Sequence, residues 1–139
     1  MSVVKSKRIT RPLKACVLAV QLLAKTIDVC SSKNNFPIRK KWAIPSDLYY
    51  EVREYCVNIN LANDVKVCDA KTAKERLEHD AEAGKHLKRF MILCNVASLT
   101  YPLGETVVNS WIGLANENVE LFKKWHKSEL ERYSGFLNG

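Results

Sequence analysis

Helical periodicity runs through most of the chain and constrains its fold more than any other feature. Apolar residues recur at spacings of three and four in four segments, at about 12–32, 46–65, 71–100 and 105–133. The connections are short, and Pro102 and Gly104 separate the last two segments. No segment alternates apolar and polar residues as a half-buried strand does. The sequence therefore predicts an all-α, antiparallel up-down four-helix bundle.

The length of 139 residues suits one domain, which buries roughly two-thirds of the surface that its unfolded chain exposes. We divide the chain into a basic N-terminal tail (1–11), a bundle domain (12–133) and a frayed C-terminus (134–139). In the second helix, Ser46 is the predicted N-cap. In the first helix, the predicted buried stripe consists of positions 13, 16, 17, 20, 23, 24, 27 and 30.

The stretch "FMILCNVASL", residues 90–99, is apolar almost all round. Such a segment is expected to be deeply buried in the bundle or to lie in a subunit interface, because water does not favour an apolar helix surface. The sequence therefore predicts a homo-oligomer if the bundle does not cover this segment itself.

The five cysteines, at positions 16, 30, 56, 68 and 94, form no Cys-x-x-Cys pair, and each falls within a helical pattern. This favours reduced core thiols in a cytoplasmic protein over a disulfide framework. The stretch "ACVLAVQLLA" after basic residues resembles a signal peptide, but no small-x-small cleavage site follows, so export is the less favoured alternative. No run reaches the ~18 apolar residues of a membrane span, and we expect no membrane partner.

The sequence patterns of several enzyme classes do not occur in this chain. The five glycines form neither a dinucleotide fingerprint nor a P-loop, and no nucleophile signature appears. The residues three before His79 and His86 are Arg76 and Ala83, where a di-metal bundle needs Glu. Each histidine has a glutamate four residues earlier, which favours a surface acid–imidazole pair. We expect no enzyme, catalytic residue, cofactor or metal; a helical enzyme or metal protein is the third hypothesis.

The chain is basic, with 22 Lys and Arg against 15 Asp and Glu, and five of these cations lie in the acid-free first 14 residues. RNA or DNA is the natural partner of such a balance. Three clusters, "FPIRKKW", "GKHLKRF" and "FKKWHK", set cations beside aromatics, which suits phosphate contact and base stacking. The alternative is that the aromatics anchor the core while Lys is solvated. The predicted nucleic-acid-binding residues are Lys85, Lys88, Arg89, Arg76, Arg39, Lys40, Lys41, Lys123 and Lys124.

Among these residues Lys85, Lys88 and Arg89 form the sharpest group, because spacings of three and four place them on one helical face. In the first cluster, Phe36 is expected to dock the turn after the first helix. The basic residues of "RKK" then stay outside for a polyanion or a partner.

The order of a first helix, then "NNFPIRKKWAIPSDLYYEVREYCVNINLAND", then a long helix with "HLKRFMILCNVASLT" and a last helix resembles a known family. It is similar to the four-helix-bundle proteins encoded in 23S rRNA intervening sequences. Within that group it most resembles the accessory variability determinants of diversity-generating retroelements. A Phe-Pro pair before basic residues, a helix beginning near Ser46, and Lys88 and Arg89 at the entry to an apolar run carry the resemblance.

The resemblance covers about residues 17–133. It implies a barrel-shaped homopentamer with a positively charged surface that binds RNA or DNA and the reverse transcriptase of the element. It also implies a role in mutagenic copying without catalytic activity of its own. The alternative is a structural or interaction bundle of the intervening-sequence type with no retroelement role.

Overall fold

The structure, a computed structural model, describes residues 10–37 and 44–138, with side chains from residue 14 onward in these ranges. Over these residues it contains four α-helices and no strand, which confirms the predicted all-α class there. The helices are α1 (Thr10–Ser31), α2 (Ile44–Asp64), α3 (Ala70–Thr100) and α4 (Glu105–Tyr133), and a 3₁₀ turn, Ser134–Phe136, follows α4. None of the described helices combines the length and apolar character needed to cross a membrane.

The start of α3 is fixed by a capping box. The Asp69 carboxylate accepts a hydrogen bond from the Thr72 backbone N–H at 2.9 Å, and the Asp69 N–H donates to the Thr72 hydroxyl at 3.1 Å. These two bonds satisfy donors that the first turn of a helix otherwise leaves unpaired. The predicted start near residue 71 is therefore correct to within one residue.

The start of α2 differs from the prediction. This helix begins at Ile44, so Ser46 lies inside its first turn and is not the N-cap. Pro45 accounts for the difference, because a proline fits the first helical turn, where a backbone N–H has no intrahelical partner. Asp47 lies in the first turn of α2, where its carboxylate is near the positive end of the helix dipole.

Neighbouring helices run antiparallel. Near the start of α4, Trp111 donates its indole N–H to the Thr26 hydroxyl near the end of α1, at 3.0 Å. Near the start of α3, Arg76 forms an ion pair with Glu129 near the end of α4. Helix α1 packs against α2 and α4, and α3 also packs against α2 and α4, so α1 and α3 stand at opposite corners. The described helices thus form the predicted up-down bundle.

Buried hydrogen bonds cross the core between the apolar layers. The Tyr55 hydroxyl of α2 donates to Asn118 Oδ1 of α4 at 2.7 Å, and the Asn118 amide donates to the Leu114 carbonyl at 2.9 Å. Tyr55 and Asn118 are at most 1% exposed. Since a buried polar group without a partner is costly, these bonds favour one register of α2 against α4.

The predicted buried stripe of α1 is wrong over much of its length. Val17, Val20 and Ile27, predicted inside, are 45%, 52% and 46% exposed, whereas Ala19 and Leu22 are fully buried. The segment is apolar on nearly every side, so periodicity alone cannot select its core face. Packing places the small side chain of Ala19 inward, which permits a close approach of neighbouring helices.

The apolar second half of α3 is only partly covered by the bundle. Phe90 and Cys94 are fully buried, but Ile92, Val96 and Leu99 are 56%, 37% and 86% exposed. Of the two expectations for this segment, deep burial therefore holds for one side of the helix only. The outer side is an uncovered apolar surface.

The turn after α1 is anchored by Phe36, as expected. This side chain is fully buried, and its ring centroid lies 4.5 Å from that of Tyr101. The Phe36 backbone N–H donates to the Ser32 carbonyl at 2.9 Å. Phe36, the aromatic residue of the "FPIRKKW" cluster that the structure describes, is therefore part of the core.

Four cysteines, at positions 16, 30, 56 and 94, are buried, whereas Cys68 is exposed in the connection between α2 and α3. The prediction that each cysteine lies in a helix is therefore wrong for Cys68, because α2 ends at Asp64. Burial raises the pKa of the Cys16 thiol to about 11. A protonated thiol in this position acts as a small apolar side chain.

The contact between α3 and α4 requires a glycine at position 84. A Cβ atom added to Gly84 would lie 2.9 Å from Cε2 of Phe122. The Phe122 ring cannot readily retreat, because the His126 ring stacks on it at 5.4 Å and the Tyr55 ring meets it at 6.2 Å. Gly113 in α4 is the opposite case, with no atom within 4 Å of an added Cβ.

We expect Gly84→Ala and Gly113→Ala to change the free energy of unfolding in opposite directions. Alanine at position 113 gains helix propensity and should stabilise the fold by about 0.5–1 kcal/mol. At position 84 the same gain is opposed by overpacking against Phe122, which typically costs about 1–3 kcal/mol. Urea unfolding of both variants and the parent provides the measurement. Equal stabilisation by both substitutions would contradict the proposed close contact.

Candidate nucleic-acid interface

The sharpest predicted cluster lies on the outside of the bundle. Lys85, Lys88 and Arg89 of α3 are all exposed, and the exposed Ile92 follows one turn after Arg89. Lys85 forms an ion pair with Glu82 at 3.5 Å. Lys88 and Arg89 have no carboxylate within ion-pair distance among the described residues. Two of the three cations of this cluster are therefore left without an ion-pair partner in the part of the chain that the structure describes.

The cations predicted on α4 lie among acids. Lys123 and Lys124 are exposed, but Lys123 pairs with Glu120 at 3.8 Å. Lys124 lines a shallow groove between α1 and α4 together with Glu117 and Glu120. This part of the surface is a mixture of both charges, and it attracts a polyanion less than the α3 cluster does.

Phe and Trp side chains of the predicted clusters belong to the core wherever the structure describes them. Phe90 is fully buried and Trp125 is 5% exposed, which favours the alternative that they anchor the bundle. The cations at Arg39, Lys40 and Lys41, and the neighbouring Trp42, lie outside the described residues.

The prediction that Arg76 binds nucleic acid is wrong, because this side chain is buried inside the bundle. It is 7% exposed, and its guanidinium donates to both carboxylate oxygens of Glu129 and, at 2.9 Å, to the Val65 carbonyl. Its guanidinium carbon lies 5.2 Å from the Tyr133 ring centroid. With its donors engaged inside the protein, Arg76 cannot contact a phosphate. The sequence did contain a signal for the burial of Arg76. It stands three residues after Ala73 and one before Leu77, and so lies next to the apolar stripe of α3.

Asp80 lies one turn beyond Arg76 and is fully buried, and neither of its oxygens receives a hydrogen bond from a donor among the described residues. Burial first, and then the Glu129 carboxylate, raise the pKa of Asp80 to about 8, although the Arg76 charge acts in the opposite direction. Asp80 is therefore protonated at neutral pH and can donate its proton to Glu129. The bundle therefore holds a buried ion pair between Arg76 and Glu129, with the uncharged carboxyl of Asp80 beside it.

His86 is also buried, at 6% exposed, and is not the surface residue that the sequence predicted. Its Nδ1 lies 3.3 Å from Oε1 of Glu51 on α2, and its Nε2 lies 3.5 Å from Oε2 of Glu82 on α3. The predicted pairing with Glu82 is present, but the contact with Glu51 links two helices. The Nδ1 of His79, the second histidine with a glutamate four residues earlier, lies 3.1 Å from the Asn58 amide oxygen.

A groove between α2 and α3 was missed by the sequence analysis. It is lined by Asp47, Tyr50, Glu51, Arg89, Ile92 and Leu93. Tyr49 and Tyr50 are 42% and 46% exposed, and the Arg53 guanidinium carbon lies 5.6 Å from the centroids of both rings. The "YYEVR" spacing was the available signal, since residues three and four apart share a helical face.

Almost all of the excess positive charge lies outside the described residues. Residues 10–37 and 44–138 carry 16 of the 22 Lys and Arg and all 15 Asp and Glu. The segments 1–9 and 38–43 hold three cations each and no acid. The described residues therefore carry almost no net charge. Their attraction for a polyanion depends on where their unpaired cations lie. Among the described residues no group of three His, Cys, Asp or Glu side chains could hold a metal ion.

The comparisons with known proteins add no identification. No protein-family model matches the chain, and no curated protein and no solved structure matches it.

We expect Asp80→Asn to remove a pH dependence of stability. In the folded parent the pKa of Asp80 is raised from 3.8 to about 8. As the pH rises between these two values, the unfolded chain loses the Asp80 proton while the folded chain keeps it, so the free energy of unfolding falls. Between about pH 6.5 and 9.5 the parent should lose about 2 kcal/mol of unfolding free energy relative to the variant. His126 titrates below this window, because burial lowers its pKa.

The control for this experiment is Asp64→Asn, which removes an exposed carboxyl. Chemical denaturation of the three proteins across the pH range is the measurement. If the parent and Asp80→Asn lose stability in parallel, Asp80 does not carry the buried proton.

Proposed function

We propose that this protein is a non-enzymatic accessory of a diversity-generating retroelement, which binds nucleic acid and the reverse transcriptase and supports mutagenic copying. The observation that carries nucleic-acid binding is the exposure of Lys88 and Arg89 on α3 with no acidic partner among the described residues. The retroelement role rests on the family resemblance of residues 17–133. A cytoplasmic location follows from that role.

The distribution of charge supports binding through phosphates. Cations attract a polyanion most strongly where no acid neutralises them, and the segments 1–9 and 38–43 contain none. Arg39, Lys40 and Lys41 lie in the second of these segments. Phosphate contacts provide affinity without reading the sequence, so the proposed ligand is RNA, or DNA, of little sequence preference.

The outer face of α1 supports a homo-oligomer. Val17, Val20, Ala24 and Ile27 are exposed at the alternating spacings of three and four that helix–helix seams use. A stripe of this kind on a solvated surface favours contact with another helix.

The position of a second apolar surface supports a ring. Val96 and Leu99 are exposed on α3, which stands at the corner opposite α1. Two different surfaces on opposite sides of a subunit favour head-to-tail contacts, which close into rings when the rotation permits. A homopentamer, which the resemblance implies, is the assembly that we propose.

A structural or interaction bundle of the intervening-sequence type is the second candidate. The observation that favours it is the near balance of charge over the described residues, together with the uncovered apolar side chains of α1 and α3. The genomic neighbourhood separates the two candidates. An adjacent reverse-transcriptase gene with a template repeat supports the retroelement role, and its absence favours the second candidate.

We expect replacement of Lys85, Lys88 and Arg89 by Gln to weaken RNA binding more than the same loss of charge elsewhere. If all three contact phosphates, the slope of log K against log salt should become shallower by about 2 for a single strand. The control is the triple Gln variant of Lys66, Lys71 and Lys74, which are also exposed. Fluorescence anisotropy across a salt series is the measurement.

Equal losses of RNA affinity in the two triple variants would show that binding depends on the total charge and not on the α3 cluster. The deletion of residues 1–9 and the Gln variant of residues 39–41 then identify which segment carries it. An affinity of the parent that does not change with salt would contradict phosphate contact altogether.

We expect Val20→Lys and Ile27→Lys to dissociate the assembly, because each places a charge within the α1 stripe. The matched control is Gln21→Lys, which adds the same charge at an exposed position beside the stripe. Sedimentation analysis at micromolar concentration measures the mass of each variant. A monomeric parent, or equal masses for all three variants, would refute the proposed seam.

A further inference from the structure

The groove between α2 and α3 has the size of a site for one ring system. Its cavity volume is about 270 Å³, just below the range of about 300–1,000 Å³ that is common for drug-sized ligands. One wall is the Tyr50 ring, and Ile92 and Leu93 supply apolar surface opposite. A flat, partly apolar group fits such a slot better than an extended chain does.

Tyr50 is held in place although nearly half of it is exposed. The Arg53 guanidinium carbon lies 5.6 Å from its ring centroid, and the His86 ring meets its edge at 5.9 Å and 80°. His86 is itself fixed by Glu51 at 3.3 Å. A ring that is already ordered loses little conformational entropy when a ligand stacks on it.

The polar groups of the groove suit a nucleotide. Arg89 lines it and has no acidic partner among the described residues, so it is available to a phosphate. Asp47 lines the other side with an exposed carboxylate, which can accept hydrogen bonds from the N–H groups of a base. The Glu51 carboxylate is buried and both of its oxygens lie 3.3 Å from His86 Nδ1, so its polar contacts are made inside the protein.

Neighbouring cations could contact further phosphates of a bound nucleic-acid strand. Lys85 precedes Arg89 by one turn on the same face of α3, and Lys88 stands next to it. A simple anion would not use the exposed ring and the apolar wall, and an apolar ligand would not use these cations. A ligand with an aromatic plane joined to successive phosphates uses all of them.

We propose that this groove binds one unpaired nucleotide of a single-stranded nucleic acid, with the base against Tyr50 and its phosphate on Arg89. This inference rests on the proposed function and adds that the interface contacts bases as well as phosphates. A base within a duplex is stacked on both faces, so the groove selects single-stranded segments.

The test compares Tyr50→Ala with Tyr49→Ala in fluorescence anisotropy. Tyr49 is a matched control, because it is 42% exposed and contacts Arg53 but does not line the groove. With a labelled ten-nucleotide single strand, Tyr50→Ala should lose about 5- to 150-fold in affinity, since stacking is worth about 1–3 kcal/mol per base. Tyr49→Ala and Tyr50→Phe should stay close to the parent.

A second arm changes the ligand, and its comparison of two ligands on the parent protein does not depend on the folding of a variant. A strand of abasic nucleotides with the same phosphates should bind more weakly to the parent and equally to the parent and Tyr50→Ala. A matched duplex should show no effect of Tyr50→Ala.

Two outcomes overturn the inference while the proposed function stands: equal binding of the abasic and the normal strand, or equal losses for Tyr49→Ala and Tyr50→Ala. If the parent binds neither strand nor duplex at low salt, the inference and the proposed nucleic-acid function both fail.

Discussion

Polar side chains that pair between helices set the register on which the rest of the bundle depends. Apolar surfaces bring four helices together, but they tolerate sliding by a turn far better than buried donors and acceptors do. The Tyr55–Asn118 hydrogen bond fixes α2 against α4, and the contact of His86 with Glu51 fixes α3 against α2. The second of these contacts brings Tyr50 of α2 and Arg89 of α3 to the same groove. Without that register the groove would have no aromatic wall opposite its cation.

Much of the fold could be predicted from the sequence, because helix existence and helix ends are local properties. The spacing of apolar residues, the proline and glycine between the last helices and the acid near the start of α2 are all local signals. The core face of α1 could not be predicted, since Val20 and Leu22 are equally apolar and only the neighbouring helices distinguish them. The roles of Arg76 and His86 were misjudged for the same reason: their partners Glu129 and Glu51 lie on other helices.

The candidate site likewise has one part that could be predicted from the sequence and one part that could not. Lys85, Lys88 and Arg89 were predicted from spacing within one helix, and the structure exposes all three. The groove with Tyr50 needs two helices docked at one register, which no spacing along the chain describes.

The same reasoning separates two components of recognition. The acid-free segments suit long-range attraction of a polyanion, which falls off with distance and salt, whereas the groove requires contact at atomic distances.

The neutral acid at Asp80 has a thermodynamic consequence for any calorimetric study of this protein. A carboxyl that carries a proton in the folded chain and ionises in the unfolded chain releases that proton when the bundle melts near neutral pH. The buffer takes up the proton, and the heat of that uptake adds to the heat of unfolding. Scans in phosphate and in an amine buffer at the same pH should therefore report different enthalpies for one and the same transition, and their difference counts the protons that the fold retains.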